Sequence, residues 1–190
     1  MAPNESLETP LTMMGAPGSP YTRKMRALLR YRHIPYRMVI QNSPEQKNLP
    51  PAKVPLLPTF YLPNAEGQVV PTTDSTPLIR RFENAFTGRS VIPADPVLAF
   101  LDELLEDYAD EWLTKCMFHY RWWYPADIDK ASRVLPLWAH TKSPDEAIAP
   151  FQKMIGERQV SRLGVVGSNE VTAPVIEASY RRFLILQNPP

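Results

Sequence analysis

The first half of the chain alternates short apolar runs with amphipathic segments. Residues 11–14 (LTMM) and Tyr36–Ile40 (YRMVI) are short apolar runs that predict buried strands. Between them, Pro20–Tyr31 carries apolar side chains three and four residues apart, which predicts a helix. Ser19 is a good N-cap for this helix, and Pro20 is tolerated at its first position because its missing N–H would be unpaired there anyway.

Two further strands and a second helix follow. Residues 56–62 (LLPTFYL) and 68–71 (QVVP) predict strands, and the NAEG turn between them places Gly67 where a positive φ is needed. The polar stretch QNSPEQKNLPPAK before them predicts a loop, and TTDSTPLIRRFENAF opens a helix. The order is βαβ, a loop, then ββα. The first two strands should be parallel because a helix joins them, and the last two should form an antiparallel hairpin.

The second half has a purely helical pattern. From residue 95 to residue 120, apolar side chains recur at helical spacing, at Leu98, Leu101, Leu105, Tyr108 and Trp112. Further helices are predicted over residues 127–140, 144–159 and 172–187. We therefore expect two domains, residues 1–87 and 95–190, joined by a linker over 87–94.

Composition narrows the class of protein. The chain has 190 residues, 44% of them hydrophobic, and a net charge of +1, which allows a core but gives no global field for nucleic acid or an anionic membrane. No nucleic-acid-binding motif is present, and no apolar run reaches membrane-spanning length. The single cysteine excludes an intramolecular disulfide or a Cys-x-x-Cys pair. The first ten residues are polar and lack the features of a secretory signal, so we expect a loose tail and a cytoplasmic protein.

Three short segments at element boundaries carry candidate chemistry. SPYTRKMR starts at Ser19, NLPPAKVP ends with Val54-Pro55, and Asp74-Ser75 opens the second predicted helix. A hydroxyl at a helix N-terminus lies where the macrodipole favours negative charge, so Ser19 can donate a hydrogen bond to a thiolate and lower that thiol's pKa. Plain helix capping is the alternative for Ser19, Asp74 and Ser75. An ordinary loop with a trans-proline is the alternative for Val54-Pro55.

These motifs and the element order resemble the glutathione transferases. The resemblance covers residues 11–86 well and the helical half loosely. It implies an α/β thioredoxin-like N-terminal domain (βαβ-ββα) followed by an all-α C-terminal domain. SPYTRKMR is similar to the Ser-Pro-Tyr-x-x-Lys-x-Arg start of the first helix in many bacterial transferases, where the serine or cysteine faces the sulfur of glutathione.

The resemblance implies a role for each matched residue. Ser19 would stabilise the glutathione thiolate. AKVP resembles the end of the family's Asn-Pro-x-x-Lys-Val-Pro segment, which implies a cis Val54-Pro55 bond that turns the Val54 backbone toward the cysteinyl group of glutathione. Lys53 would approach the glycyl carboxylate, or be a solvated surface lysine. Ser75 would hold the γ-glutamyl carboxylate and Asp74, which replaces the family's usual glutamate, would face the γ-glutamyl ammonium.

The helical half supplies the candidates for a second-substrate pocket. YRWWY (residues 120–124) is its densest aromatic cluster, and Tyr120 and Trp123 are the pocket candidates, with core packing as the favoured alternative. His119 and His140 have no partners at metal-ligand spacing, so no metal is predicted. Cys116 lies on the apolar side of a helical pattern and is predicted to be a small buried hydrophobe.

The end of the chain departs from the family pattern. Family members usually add a buried helix opened by a Ser/Thr-x-x-Asp capping box, and this sequence lacks that box and stops at QNPP after an apolar helix. This ending fits a shortened C-terminal domain, a fragment or a divergent C-terminus, and in each case we expect part of the apolar surface of that helix to be uncovered. The side chains concerned are Val175, Ile176, Tyr180, Phe183, Leu184 and Leu186.

Two functional interpretations follow from the resemblance. The leading one is an enzyme that binds glutathione as a co-substrate, activates its thiol at Ser19 and conjugates it to a small-molecule electrophile, as in detoxification; the resemblance also implies a homodimer. The second is a non-catalytic binding module with the same fold, which the Asp74 replacement and the abrupt end favour. A disulfide exchanger is opposed because a serine cannot form the mixed disulfide.

Overall fold

A computed structural model describes residues 6–138 and 143–187. The chain divides into two compact units, Met1–Pro96 and Val97–Pro190. Within the described residues, no helix combines the length and the apolar character needed to cross a bilayer.

The first unit is a four-stranded mixed sheet with two helices. Its elements are β1 (Leu11–Gly15), α1 (Pro20–Tyr31), β2 (Tyr36–Ile40), β3 (Thr59–Pro63), β4 (Val69–Thr72) and α2 (Ser75–Ala85). The strand order is β2-β1-β3-β4, with β1 parallel to β2 and antiparallel to β3, and β3 antiparallel to β4. A short 3-10 turn, Pro44–Asn48, lies in the long loop after β2. This βαβ-ββα arrangement confirms the predicted thioredoxin-like fold.

Local signals in the sequence define the first three elements. The backbone N–H of Thr22 donates to Ser19 Oγ at 3.2 Å, and Pro20 occupies the first turn, so α1 begins where the cap and the proline predict. Met25, Leu28 and Leu29 form its buried stripe. The predicted bounds of α1 and β2 are both correct.

The core of the first unit lies between its sheet and its two helices. Phe60 of β3 and Phe82 of α2 are fully buried, and their rings meet edge to face with centroids 5.2 Å apart. Leu7 belongs to the same cluster and is only 7% exposed. The expectation of a loose tail is therefore wrong at this position, because burying a leucine is worth about 1.5–3 kcal/mol and fixes the chain ahead of β1.

The predicted start of β3 is also wrong. The strand begins at Thr59, and the segment before it is irregular, with Leu56 exposed. Four of the five residues of β3 are buried, and the strand lies between two others in the sheet. The apolar run LLPTFYL therefore combines a loop and a strand, which its hydrophobicity alone does not separate.

The second unit contains helices only, within the part of the chain that is described. They are α3 (Pro96–Tyr108), α4 (Thr114–Trp122), α5 (Pro125–Leu137), α6 (Asp145–Val160) and α7 (Ala173–Gln187). The all-helical character is as predicted, but the pattern over residues 95–120 is interrupted by a π-helical segment, Ala109–Leu113. His140, which the prediction placed at the end of a helix, lies outside the described residues.

The second unit packs around α4. Trp122 and His119 are fully buried there, together with Ile148 of α6. Cys116 is 1% exposed, its Sγ donates to the Ile176 carbonyl at 3.9 Å, and burial raises the pKa of its thiol. Cys116 is therefore the small buried residue that the pattern predicted.

The start of the last helix carries a reciprocal pair of hydrogen bonds between Asn169 and Thr172. The N–H of Asn169 donates to Thr172 Oγ1 at 3.0 Å, and the N–H of Thr172 donates to Asn169 Oδ1 at 3.1 Å. This reciprocal pair opens α7 as a Ser/Thr-x-x-Asp box would. Ile176 is buried, which contradicts its predicted exposure, while Tyr180 and Phe183 are half-buried. The side chains that are exposed as expected are Val175, Leu184 and Leu186.

Candidate functional site

The candidate residues of the first unit gather at one edge of the sheet. β1 and β4 end at this edge and β3 begins there, since β3 is antiparallel to both. Met14 pairs with Thr59, so the residues that follow β1 and lead into the Ser19 cap lie at the same edge as the residues just before β3. Phe60 pairs with Thr72, the last residue of β4, so Asp74 follows β4 at this edge as well. The carboxyl ends of strands are a usual place for ligands in α/β folds.

Ser19 is fixed at the start of α1 with its hydroxyl at the positive end of the helix. Its Oγ accepts from the Thr22 N–H, and no acceptor for its own proton is present among the described residues. It is half-buried, and the first turn of α1 contains no acidic side chain. Gly15 permits the close approach of β1 to this turn, because a Cβ there would lie 2.6 Å from Thr22 Cγ2. The arrangement offers a hydroxyl donor to an anion.

The start of α2 presents two polar side chains with opposite character. Asp74 is the N-cap, with φ at +80°, and its Oδ1 accepts from the Thr76 N–H at 3.3 Å. Its carboxylate is exposed, and its Oδ2 has no hydrogen-bond partner among the described residues. Ser75 is 7% exposed, and its Oγ accepts from Lys24 Nζ at 3.1 Å. An anion and a cation can therefore be held side by side here.

The predicted cis bond at Val54-Pro55 is wrong. In the first unit the cis bonds of the described residues precede Pro10 and Pro58, and the second of these is Leu57-Pro58. Val54 is 52% exposed, and its carbonyl already accepts from the Leu56 N–H at 2.9 Å. Two X-Pro pairs occur in KVPLLP, and β3 begins immediately after the second of them. The cis bond is at the X-Pro pair that directly precedes the first residue of β3.

Leu57 and Lys24 are the residues of this edge that the sequence did not single out. Leu57 is half-buried, and its backbone N–H has no partner among the described residues. Lys24 belongs to α1 but reaches the first residue of α2, 51 positions further along the chain. Lys53 and Pro55, by contrast, are exposed in the loop before β3. No local pattern connects Lys24 with Ser75, since the contact is purely tertiary.

The aromatic cluster of the second unit packs against itself. Trp123 stacks on His119 with ring centroids 5.3 Å apart, and the Tyr120 ring lies 5.3 Å from that of Tyr180. His119 Nδ1 is 2.8 Å from Ser168 Oγ. Tyr120 and Trp123 are both half-buried, and the Tyr120 contact is with a residue of α7.

A separate open groove of about 540 Å³ runs along α7 and does not include the two pocket candidates among its described lining. That lining consists of Pro174, Glu177, Ala178, Arg181, Arg182, Ile185 and Leu186. A hydrogen bond from Tyr124 lowers the pKa of the Glu177 carboxyl below its usual range and raises the pKa of Tyr124. Within the described residues, no group of three or more His, Cys, Asp or Glu is placed to hold a metal ion.

Comparison with known families agrees with the geometry of the first unit. Residues 13–90 match the family model of the glutathione S-transferase N-terminal domain, a span that runs from β1 past the end of α2 and includes Ser19, Lys24, Asp74 and Ser75. No curated protein matches the chain at a significant level. The first unit therefore carries the match to a glutathione S-transferase N-terminal domain.

Proposed function

We propose that the first unit binds glutathione and that the Ser19 hydroxyl stabilises its thiolate for attack on a small-molecule electrophile. The observation that supports this most strongly is the capping bond from the Thr22 N–H to Ser19 Oγ. This bond occupies one side of the oxygen, so the hydroxyl proton is directed elsewhere, at the positive end of α1. A thiolate in front of Ser19 receives that proton as a hydrogen bond.

The rest of the tripeptide would be held along the same edge of the sheet. We propose that Asp74 pairs with the γ-glutamyl ammonium and that Ser75 contacts the γ-glutamyl carboxylate. Leu57 takes the place that the sequence assigned to Val54, because its half-buried N–H is available to pair with the cysteinyl backbone. Lys53, in the exposed loop before β3, remains the candidate for the glycyl carboxylate, and Pro55 has no direct contact in this scheme.

The proposed reaction needs only a modest lowering of the pKa of the glutathione thiol. A hydrogen bond to a charged group is worth about 1.5–3 kcal/mol, which corresponds to about one to two units of pKa. The pKa of the bound glutathione thiol would then fall from about 8.5 to about 6.5–7.5, so that roughly a quarter to three quarters of it is ionised at pH 7. With an aryl halide, the thiolate sulfur forms a bond to the ring carbon and the halide leaves with its electron pair. The thiol proton is lost to solvent before the attack.

Two substitutions at Ser19 separate catalysis from helix capping. Ser19→Gly removes the hydroxyl but costs only a few tenths of a kcal/mol as an N-cap, whereas alanine would cost about 0.5–2 kcal/mol. Ser19→Thr keeps both hydroxyl and cap. We expect the wild type to be retained on immobilised glutathione, a fall in the conjugation rate of about tenfold or more in Ser19→Gly, and a smaller fall in Ser19→Thr. A rate that is the same in Ser19→Gly and wild type would contradict the proposed role.

A non-catalytic binding module is the second candidate. It is favoured by Asp74, whose carboxylate is one methylene shorter than the glutamate of the family and is exposed. Retention on glutathione without turnover of any aryl halide would support it. Absence of retention would count against both functions.

The match to this N-terminal domain supports three further expectations. We propose a homodimer, which light scattering after size exclusion would detect as twice the chain mass. A cytoplasmic location and a role in detoxification stay proposals of the same kind. The second-substrate pocket at Tyr120 and Trp123 also stays a prediction, to be tested by Trp123→Phe and its effect on the KM for the electrophile.

A further inference from the structure

Two arginines of α1 converge on one tyrosine hydroxyl at the start of β2. Arg26 Nε donates to the Tyr36 hydroxyl oxygen at 3.4 Å, and the Arg30 side chain donates a second hydrogen bond to it. Arg26 and Arg30 are four residues apart, so they lie on the same face of the helix, one turn from each other. Two guanidinium groups are therefore directed at a single point.

This point lies at the edge of the sheet opposite to Ser19. Tyr36 is the first residue of β2 and pairs with Leu11, the first residue of β1, whereas the Ser19 cap follows the last residue of β1. The 12 residues of α1 lead from one edge to the other and span about 18 Å. The cluster is therefore distinct from the candidate glutathione site, and what it binds is independent of the proposed function.

No carboxylate compensates the two arginines within the part of the chain that the structure describes. Neither Arg26 nor Arg30 forms an ion pair there, and Arg23, one turn earlier on the same face, adds a third exposed positive charge. The described acidic residue nearest in sequence to the start of β1 is Glu8, and it is exposed and pairs with neither. Like charges at this spacing disfavour a helix, so a bound anion would relieve their repulsion.

The Tyr36 hydroxyl completes a set of donors. Partial burial raises the pKa of Tyr36, but the hydrogen bonds and charges of Arg26 and Arg30 outweigh it, so the pKa lies below its ordinary value. The oxygen accepts from both arginines, and no acceptor for its proton is present among the described residues. A polarised hydroxyl and two guanidinium forks can thus donate to one ligand with several acceptor oxygens.

We propose that Arg26, Arg30 and Tyr36 form a binding site for the phosphate monoester group of a small soluble molecule. Such a group carries about one and a half to two negative charges at neutral pH and three acceptor oxygens, which match two guanidinium groups and one hydroxyl. A carboxylate or a phosphodiester carries one charge and would balance only one arginine. The net charge of +1 gives no extended basic field for a polyanion such as nucleic acid.

The competing explanation is a structural tie between α1 and β2. The C-terminus of a helix favours a cation, which accounts for Arg30 in the last turn of α1. It does not account for Arg26, which lies in the middle of the helix. A tie of this kind would stabilise the first unit without discriminating between anions.

Three double variants and one single variant separate binding from structure. Arg26→Gln/Arg30→Gln removes both charges, and Arg26→Lys/Arg30→Lys keeps the charges but removes the planar forks. Arg158→Gln/Arg162→Gln is the matched control, because it removes two exposed arginines of the second unit at the same spacing. Tyr36→Phe removes the hydroxyl alone. Thermal unfolding of each variant reports whether the tie matters for stability.

Binding is measured by chemical-shift titration of the full chain at constant ionic strength. The probes are glycerol 1-phosphate, a monoester, and dimethyl phosphate, a diester. Loss of charge-assisted bonds should weaken binding of the monoester to Arg26→Gln/Arg30→Gln by about tenfold or more, and the lysine variant should be intermediate. The control should stay within about twofold of the wild type. Dimethyl phosphate should bind the wild type about tenfold or more weakly than the monoester.

The titration of Tyr36 itself shows where the ligand binds. The phenolate absorbance of Tyr36 is obtained by subtracting a titration of Tyr36→Phe from that of the wild type. Bound glycerol 1-phosphate should raise the pKa of Tyr36, because it neutralises both guanidinium groups and accepts the hydroxyl proton. A structural tie predicts a Tyr36 pKa that does not depend on the ligand.

Every other result overturns the assignment. Equal affinity of the wild type and Arg26→Gln/Arg30→Gln for glycerol 1-phosphate would place the ligand elsewhere, as would binding that leaves the pKa of Tyr36 unchanged. Equal or tighter binding of dimethyl phosphate would replace the monoester by a diester, as in a lipid or a nucleic acid. If the glutamine variant does not fold, the titration of Tyr36 with and without glycerol 1-phosphate decides the question.

Discussion

Arg32 holds the far ends of α1 and α2 together, and replacing it should destabilise the first unit strongly. Its side chain is only 1% exposed. Nη2 donates to the carbonyls of Phe86 at 2.7 Å and Gly88 at 3.2 Å, and Nη1 forms an ion pair with Glu83 Oε1 at 3.0 Å without hydrogen-bond geometry. These contacts fix the chain just after α2, opposite the end of the helix that carries Asp74 and Ser75.

Arg32→Met retains the apolar stem and removes the guanidinium. Two hydrogen bonds from a charged group are lost, each worth about 1.5–3 kcal/mol. Glu83 keeps Ser90 Oγ at 2.7 Å and the Val91 N–H at 3.2 Å as partners, so it is not left as an isolated charge. We therefore expect a loss of about 3–5 kcal/mol, in the range for breaking a buried pair.

The assay must report the first unit separately. The tryptophans of the chain, Trp112, Trp122, Trp123 and Trp138, all belong to the second unit, so their fluorescence follows that unit. Amide hydrogen exchange resolved by peptide gives the opening free energy of α1 and β3 directly. We expect peptides of the first unit to lose about 3–5 kcal/mol of protection in Arg32→Met, with little change in tryptophan fluorescence on urea unfolding.

A loss below about 1 kcal/mol would refute the reasoning, because it would mean that water or rearranged side chains satisfy the Phe86 and Gly88 carbonyls at little cost. Arg133→Met serves as the control, since Arg133 is an exposed arginine of α5.

Two further predictions concern single residues at the helix starts and in the second unit. Asp74→Gly removes the Cβ from a residue with a positive φ and so relieves backbone strain, which should raise the free energy of unfolding by about 1 kcal/mol. The same change should weaken glutathione binding; urea unfolding measures the first effect and calorimetry the second. A variant that gains stability and binds glutathione unchanged would exclude Asp74 from the site. The hydrogen bond from Tyr124 lowers the pKa of the Glu177 carboxyl in the folded chain. On acidification the unfolded chain therefore protonates this carboxyl at a higher pH than the folded chain does. The ionised Glu177 thus stabilises the fold fully above its ordinary pKa of about 4.3, and this stabilisation is lost as the pH falls through the folded-state pKa. The stability difference between wild type and Glu177→Gln, followed by tryptophan fluorescence, should therefore shrink as the pH falls through the native pKa; a difference that grows with acidity would contradict this assignment.

The sequence predicted those parts of the fold that depend on neighbouring residues. α1 and β2 are correct to the residue because three local signals bound them: an N-cap, a proline in the first turn, and the sequence HIPY after α1, whose proline disfavours helical geometry in the residue before it. Gly67 adopts the positive φ that the NAEG turn requires. The helical spacing of apolar residues is enough to predict the all-helical second half. It does not predict the π-helical segment Ala109–Leu113, because that segment barely changes the apolar pattern.

The parts that were missed depend on contacts distant in sequence. The position of β3 decides which X-Pro pair adjoins the strand, and nothing within KVPLLP distinguishes Pro55 from Pro58. Lys24 and Ser75 are 51 residues apart in sequence, so no local sequence pattern predicts their contact. Leu7 is buried by the core it meets rather than by any pattern around it.

The pKa of the bound glutathione thiol tests the central proposal most directly. It is measured from the ultraviolet absorbance of the thiolate during a pH titration of the wild-type complex, with Ser19→Gly and Ser19→Thr beside it. We predict a thiol pKa of about 6.5–7.5 for the wild type and Ser19→Thr, and a return toward about 8.5 in Ser19→Gly. A thiol that titrates at the same pH when bound to the wild type as when free in solution would contradict it.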